Sequence, residues 1–358
     1  MKKTVVVGMS GGVDSSAAAL LLCEQGYNVI GVTMQIWQDE AEEVLESEGG
    51  CCGLTAVEDA RRVAAVLGIP YYVMNFKDVF REKVIDYFTD EYLHAHTPNP
   101  CIACNRYVKW EALLKRSLDI GADYIATGHY AGIMRTDAGR YAVRRSKAAE
   151  KDQTYALYNL TQEQLSHTVF PLSELTKPEV REIAKKAGLP VAEKHDSQEI
   201  CFVPDKDYAG FIERYTGVSA APGNYVNQNG EILGQHKGLI HYTIGQRRGL
   251  GLPMGRRMFV SELRPETNEV VIAEGNEVFS RELKAGKLSF MGCADIPEAG
   301  ERFIGKIRYG HKGAPCTAYR TGDDELTVVF DEDVRAVTKG QALVLYKDAY
   351  IAAGGTIL

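Results

Sequence analysis

Apolar positions in the first 130 residues follow two different periods. Short apolar runs (Val5-Val6-Val7, Asn28 to Met34, Tyr71 to Asn75 and Tyr124 to Thr127) alternate with longer stretches in which apolar residues recur every three or four positions. The runs are rich in β-branched residues and read as buried strands. The periodic stretches read as helices. One starts at Val13 and places Ala17, Leu20 and Leu21 on one face. Another spans Thr55 to Leu67, with Ala60, Val63, Ala64 and Leu67 as its stripe. Asp78 to His94 is amphipathic, and a further helix is striped by Trp110, Leu113, Leu114 and Leu118. Strands alternating with helices at this spacing predict an α/β doubly wound parallel sheet, with its ligand crevice at the carboxyl ends of the strands. Trp37 to Gly50 breaks the pattern; it is acidic and ends in glycine, so an exposed, mobile loop is expected there.

Beyond residue 130 the pattern changes. Arg135 to Arg145 reads as a hairpin turning at Asp137-Ala138-Gly139. Thr176 and Glu179 form a capping box that opens a helix from Val180 to Ala187, stopped by Gly188-Leu189-Pro190. After Pro204 the alternation ceases. One short helix near Tyr208 to Tyr215 is followed by turns at Asn229-Gly230 and Pro265 to Asn268, and by a glycine-rich basic stretch, Tyr242 to Gly251, that reads as an exposed loop. From Lys284 onward the chain is all-β, with strands at Phe303 to Tyr309, Ala314 to Thr321, Glu325 to Phe330 and Gln341 to Lys347, the pattern of a small barrel. The expected division is 1–205 for the α/β unit, 206–280 for a small central β-rich unit and 281–358 for the barrel.

Composition narrows the class. The 358 residues are 45% hydrophobic and 25% charged, ordinary for a globular protein of two or three domains. No apolar run is long enough to span a bilayer, and Met1-Lys2-Lys3 enters a strand without a cleavable leader pattern, so a cytoplasmic location away from membranes is the expectation. The net charge of −7 provides no overall attraction for nucleic acid, leaving that task to local patches. Eight cysteines in such a chain do not suggest a disulfide scaffold, so their spacing has to be read for redox or metal chemistry.

The sharpest chemical signal follows the first strand: Gly8-Met9-Ser10-Gly11-Gly12-Val13-Asp14-Ser15-Ser16. Glycines there leave backbone N–H groups uncovered, and the helix dipole favours an anion. No Gly-Lys-Ser/Thr follows, and the dinucleotide pattern G-x-G-x-x-G is absent. Cys101 and Cys104 form a C-x-x-C at the start of a helix, where a thiol pKa falls, so they are candidate reactive or metal-bound thiolates. The prolines at 98 and 100 are expected to keep Thr97 to Arg106 non-helical. No second C-x-x-C exists to complete a zinc ribbon. Adjacent Cys51 and Cys52 are poorly placed for one metal, and Cys201, in a polar strand-like segment, reads on its own as structural. Gly128-His129-Tyr130 ends the fourth strand at the expected ligand edge. Arg144, Arg145, Lys147 and Lys151 form a basic run leading to Asp152-Gln153, and Lys306, Arg308 and Lys312 accompany Tyr309. Each basic group fits either a solvated face or an RNA surface.

Ser10 to Ser15 resembles the pyrophosphate loop of ATP pyrophosphatases. Gly8 to Ser16, Thr97 to Arg106, Gly128 to Tyr130, Lys151 to Gln153, Asp196 to Phe202 and Tyr242 to Leu252, in that order, make the whole chain similar to the tRNA-specific 2-thiouridylases (tRNA-uridine 2-sulfurtransferases). The resemblance implies replacement of the C2 oxygen of the wobble uridine by sulfur, with ATP and Mg²⁺ used to adenylate that oxygen. It implies that Gly8, Met9, Ser10, Gly11, Gly12, Val13, Asp14, Ser15, Met34 and Gly128 contact ATP. Asn99, Pro100 and Cys101 would meet the target base, and His129, Lys151, Asp152, Gln153, Arg308, Tyr309 and Gln341 the tRNA. Cys104 and Cys201 would handle sulfur. Either Cys201 carries a persulfide from a sulfur donor protein supplied by a cysteine desulfurase, ending in a Cys104–Cys201 disulfide, or cysteines hold a [4Fe-4S] cluster that binds free sulfide. Many members have Asp at position 101; Cys101 here supplies a third thiolate, which favours a cluster on Cys101, Cys104 and Cys201. Two other readings explain part of the pattern: an ATP-dependent amidating ligase, and a non-catalytic ATP-dependent RNA-binding protein.

Overall fold

The computed structural model describes residues 2–36, 54–195, 200–253 and 255–358. The expected loop over 37–50, the pair Cys51-Cys52 and residues 196–199 lie outside these.

The α/β unit is built on five parallel strands: β1 (Thr4–Gly8), β2 (Asn28–Gln35), β3 (Tyr71–Asn75), β4 (Tyr124–Thr127) and, beyond a hairpin of β5 (Gly132–Arg135) and β6 (Tyr141–Arg144), the short β7 (Thr168–Val169). Their order is β3-β2-β1-β4-β7. Val5, Val6 and Val7 are fully buried, as the central strand of a sheet covered on both faces requires. β3 is an edge strand, and Tyr72 and Val73 stand exposed on it. The chain leaves β1 toward β2 on one side and β4 lies on the other, so a topological switch point opens at the end of β1, where the glycine loop sits. Helix α1 (Val13–Glu24) follows the loop, and α2 (Leu54–Leu67) returns to β3.

Residues 77–93 are helical, with π-type turns over Arg81–Asp86. The next helix begins at Pro100, against the expectation of a non-helical stretch. Pro100 occupies the first helical turn, where its missing N–H costs nothing, and the Asn99 side chain caps it by accepting from the N–H groups of Cys101 (3.1 Å) and Ile102 (3.4 Å). The helix predicted from Val180 starts earlier, at Lys177, with the Glu179 carboxylate accepting from the Thr176 N–H at 2.6 Å as the capping box requires.

The central unit is a four-stranded sheet, β8 (Gly223–Val226), β9 (Ile232–His236), β10 (Met258–Arg264) and β11 (Glu269–Glu274), in the order β10-β11-β8-β9. Tyr242 and Leu250 are buried in its core, so the stretch read as an exposed loop is anchored at both places.

The last unit is a closed barrel of six antiparallel strands: β12 (Phe279–Phe290), β13 (Glu301–Lys306), β14 (Ala314–Gly322), β15 (Glu325–Arg335), β16 (Ala342–Lys347) and β17 (Tyr350–Ile357), with β12–β17 pairing sealing it. Closure removes the sheet edges. β13 ends at Lys306, so Arg308 and Tyr309 lie in the turn beyond it. The sequence pattern did not show that the hairpin β5–β6 leaves its own unit and joins the barrel, with Arg144 paired to Tyr350 of β17. One hydrophobic core runs through both units: Trp110, Tyr155 and Tyr158 pack in the same cluster as Val344, Tyr346 and Ile351. No helix among the described residues is long and apolar enough to cross a membrane.

Candidate functional site

Gly8 closes β1, in register with Thr127 of β4. The chain then turns through Met9, whose N–H bonds the Val32 carbonyl at 2.8 Å, to Gly11, held at φ +67. A β-carbon at Gly11 would lie 2.4 Å from the Ala56 carbonyl oxygen, so glycine is required there by both the turn and its neighbour. Gly12 is the N-cap of α1 and supplies no side-chain cap, so the first-turn N–H groups of Val13, Asp14 and Ser15 have no intrahelical acceptor. Ser15 and Ser16 turn their hydroxyls onto the Gly12 carbonyl (3.2 and 2.8 Å), and Ser15 Oγ accepts from the Ser10 N–H at 3.2 Å, which sets the loop's curvature. The result is an anion cradle of main-chain donors at a helix N-terminus. Met34 lies on β2, two residues beyond the Gly8–Val32 pairing, and Gly128 follows β4, so both stand at the same strand ends.

Gly128 is needed for closeness. A β-carbon there would fall 2.6 Å from the carbonyl carbon of Asp14 and from the Ser15 nitrogen. Asp14 is in turn gripped from behind. Lys177 donates to both its oxygens (2.7 and 2.8 Å), and the Tyr130 hydroxyl donates to Oδ1 at 2.8 Å. Tyr130 and Gln153 bond each other twice, Tyr130 N–H to Gln153 Oε1 at 2.9 Å and Gln153 N–H to the Tyr130 carbonyl at 3.2 Å. A continuous polar chain, Lys177–Asp14–Tyr130–Gln153, thus joins the phosphate loop to the Lys151-Asp152-Gln153 turn. Sequence reasoning missed Lys177 and Tyr130. Thr176-Lys177 showed only as a cap, and no local signal ties it to a residue 163 positions away.

His129 packs rather than projects. Its ring lies 5.7 Å from Trp110 and 6.2 Å from Phe170, and Nδ1 is 2.7 Å from Thr127 Oγ1. Burial, aided by the Lys109 charge, holds its pKa well below the ordinary histidine value, so the imidazole is neutral at pH 7.

Cys101 is exposed and Cys104 half-buried on the helix opened by Pro100. That helix is fixed by Asn105, which donates to the Ala156 carbonyl at 2.9 Å, and by the Trp110 indole, which donates to Thr168 at 2.8 Å. Cys201 is exposed in a turn rather than a strand. Its neighbour Phe202 is buried among Phe80, Phe88 and Phe211, which pins the segment to the helical stretch 77–93 that also packs on the Cys101–Cys104 helix. Among the described residues, no group of three or more His, Cys, Asp or Glu is gathered closely enough to hold a metal. Cys101 and Cys104 share one helix and Cys201 stands on another segment, and the ligand set expected for an iron–sulfur cluster is not assembled among the described residues in this conformation. Cys23, Cys293 and Cys316 are all pushed up by burial, Cys293 to about 11 and Cys316 to about 12, and are inert fillers at neutral pH.

The barrel completes the site. Tyr309, 49% exposed, stands beside Tyr155 with ring centres 6.2 Å apart, and burial followed by the Asp152 charge raises its pKa. Arg308 donates to the Arg335 carbonyl at 2.7 Å. Gln341 donates to the Thr97 carbonyl at 2.7 Å, and the Thr97 N–H bonds the Lys339 carbonyl, so the barrel steadies the loop leading into Asn99 and Pro100. The basic run divides: Arg144 pairs with Glu174 and Lys147 with Glu179, which neutralises both, whereas Arg145 and Lys151 face the joint between the units.

Three family models match in series: one described as the tRNA methyl transferase HUP domain over residues 3–205, one as the tRNA methyl transferase PRC-barrel domain over 209–274, and one as the aminomethyltransferase beta-barrel domain over 280–357. The chain is 62% identical over 356 residues to the tRNA-specific 2-thiouridylase MnmA of Lachnoclostridium phytofermentans, with 99% of each chain covered. It is 53% identical over 358 residues to the tRNA-specific 2-thiouridylase MnmA of Clostridioides difficile, covering 100% of this chain and 98% of that one. Among solved structures, the U34-tRNA thiolase NcsA of Methanococcus maripaludis with its [4Fe-4S] cluster aligns at 18% identity over 60% of this chain and 66% of that one. Its TM-score of 0.35 is too low to bear on fold or cofactor.

Proposed function

The chain belongs to the tRNA-specific 2-thiouridylase family and is an ATP-using tRNA sulfurtransferase; from that premise we propose which residues carry the chemistry. The wobble uridine carbonyl is a poor electrophile, and adenylating its oxygen turns that oxygen into part of AMP, a good leaving group. The cradle from Gly8 to Ser15 takes the phosphates, with Met34 and Gly128 bounding the nucleotide. Mg²⁺, when bound, spreads the pyrophosphate charge. Asp14 is the carboxylate at hand for it, and Lys177 and Tyr130 orient that carboxylate.

Sulfur passes through Cys201 and Cys104. A persulfide on Cys201 attacks C2 with its outer sulfur and AMP departs. The Cys104 thiolate then attacks the inner sulfur, closing a Cys104–Cys201 disulfide and releasing the thiocarbonyl, and an external dithiol resets the pair. The sulfur arrives from a donor protein. Cys101 and Asn99 line the approach of the base, which must leave its stack to enter. The cluster route is set aside, because Cys101, Cys104 and Cys201 are not gathered as a metal-ligand set among the described residues. ATP and tRNA as substrates support the cytoplasmic expectation.

What supports this reading most is the hydrogen-bonded chain Lys177–Asp14–Tyr130–Gln153, which ties the phosphate loop to the Lys151–Gln153 turn, together with the Gln341–Thr97 bond that ties the barrel to the loop entering the thiol helix. The test supplies transcribed tRNA, ATP and a persulfide donor, and measures pyrophosphate and 2-thiouridine by mass spectrometry. Both products should form in step and both should require tRNA. Thiolation undiminished in Cys104→Ser would overturn the thiol roles; pyrophosphate release without 2-thiouridine, unchanged in Cys104→Ser, would favour the ligase; tRNA binding without pyrophosphate release would favour the binding protein.

A further inference from the structure

A barrel face that packs on the α/β unit should be apolar, and at one position it is not. Val344 and Tyr346 of β16 sit in the core shared by the two units, and Lys306 lies directly across from Val344 in the ladder, on the same face. Lys306 is only 8% exposed and, among the described residues, makes no hydrogen bond or ion pair. Its ammonium lies 5.8 Å from the centre of the Tyr155 ring, and burial together with the Arg145 charge lowers its pKa. Arg145 approaches from the other side, its guanidinium 4.5 Å from the centre of the Tyr346 ring. Its Nε is buried without a partner, and so is His311 Nδ1 nearby. The one carboxylate in reach, Asp152, is already occupied by the Thr154 N–H (3.2 Å) and hydroxyl (3.0 Å).

Two partly buried cations, each set against a tyrosine ring and with one committed carboxylate between them, leave positive charge that an added anion would stabilise. A fold that keeps a local conflict of this kind commonly keeps it for a ligand. We infer that Lys306 and Arg145 form a subsite for one backbone phosphate of the RNA, with the half-exposed Tyr309 ring beside it as a stacking platform for the adjoining base. The inference rests on the tRNA reading above and adds to it the residues that hold the strand at the joint.

The test measures tRNA binding by fluorescence anisotropy from 50 to 300 mM salt for the wild type, Lys306→Met, Arg145→Met and the double variant. Each single variant should weaken binding several-fold and lower the slope of log K against log salt by about 0.7–0.9, the value of one phosphate contact. The double variant should lower it no further, because both cations share that phosphate. Lys306→Met should melt at the wild-type temperature or above it, whereas a structural lysine would lower it. Slopes parallel to the wild type, or a clearly lower melting temperature, would overturn the subsite. Equal stabilisation of the wild type by inorganic phosphate, with RNA slopes unchanged in the variants, would reassign it to a free anion and overturn the RNA assignment. A wild type with no salt-dependent tRNA binding would instead sink the tRNA reading itself.

Discussion

Alanine at Gly128 probes how tightly the end of β4 is closed against the phosphate loop. The added β-carbon would lie 2.6 Å from the Asp14 carbonyl carbon and the Ser15 nitrogen. Ordinary contact begins near 3.4 Å, so one side must retreat by about 0.8 Å (3.4 − 2.6). Both obstacles are main chain in the first turn of α1 and cannot swing aside as a side-chain tip can. Overpacking of this kind costs about 1–3 kcal/mol. At roughly 2–4 °C per kcal/mol for a unit of some 200 residues, the melting temperature should fall by about 2–12 °C. A displacement approaching 1 Å at a positioning loop costs on the order of 10²-fold in rate. The informative control is Gly12→Ala. The β-carbon there meets nothing closer than Ser10 Oγ at 3.5 Å, and φ is an ordinary −100. That variant should melt like the wild type yet bind ATP about tenfold more weakly, because the phosphate needs bare backbone to reach the N–H groups. Calorimetric ATP titration and thermal melts on both variants decide the matter. Gly128→Ala with unchanged melting and ATP affinity within twofold would refute the close-packing argument; Gly12→Ala with full affinity would refute the cradle.

Cys104→Ser should retain ATP and tRNA affinity while 2-thiouridine falls to background, as read by nucleoside mass spectrometry. Tyr130→Phe removes the hydroxyl that holds Asp14 and should cost about 1 kcal/mol, with a raised KM for ATP larger than the change in kcat; equal KM values would show that Lys177 alone positions Asp14. The Glu179 carboxyl is held down at about 2 by the Thr176 N–H and then by Lys147, against an ordinary 4.5. Its contribution is full above pH 4.5 and drains away as pH falls toward 2, so the melting difference between wild type and Glu179→Gln should be flat above pH 5 and close toward pH 2. His129, pushed down by burial, should show no imidazole titration near pH 6.5 by NMR; a midpoint there would mean the ring is open to solvent.

What the residues announced was local. Val5 to Val7, the glycines after them and the amphipathic helix behind made strand, loop and anion site legible, because each depends on neighbours within a dozen positions. Pro100 was misjudged because the same residue that breaks a helix interior starts a helix well, and only the Asn99 cap distinguishes the two. The basic run was legible as charge but not as function: Arg144 and Lys147 are neutralised by Glu174 and Glu179, 30 and 32 residues further along, whereas Arg145 is turned to the joint. The Lys177–Asp14 pair and the exchange of β5–β6 into the barrel are settled by tertiary packing between distant segments, which no periodicity encodes.

That exchanged hairpin constrains the order in which the molecule can be made. Tyr158, deep in the α/β unit, would be in the way of any side chain at Gly354, and Arg144, paired with Gly132 inside the hairpin, meets Tyr350 on its other side. Both partners are translated some 200 residues later, which at 5–20 residues per second is a delay of roughly 10–40 s. Throughout that interval the nascent catalytic unit must carry an open flank of its core and a hairpin with one edge unpaired, so its vulnerable period on the ribosome is set by the arrival of a strand from far downstream in the chain.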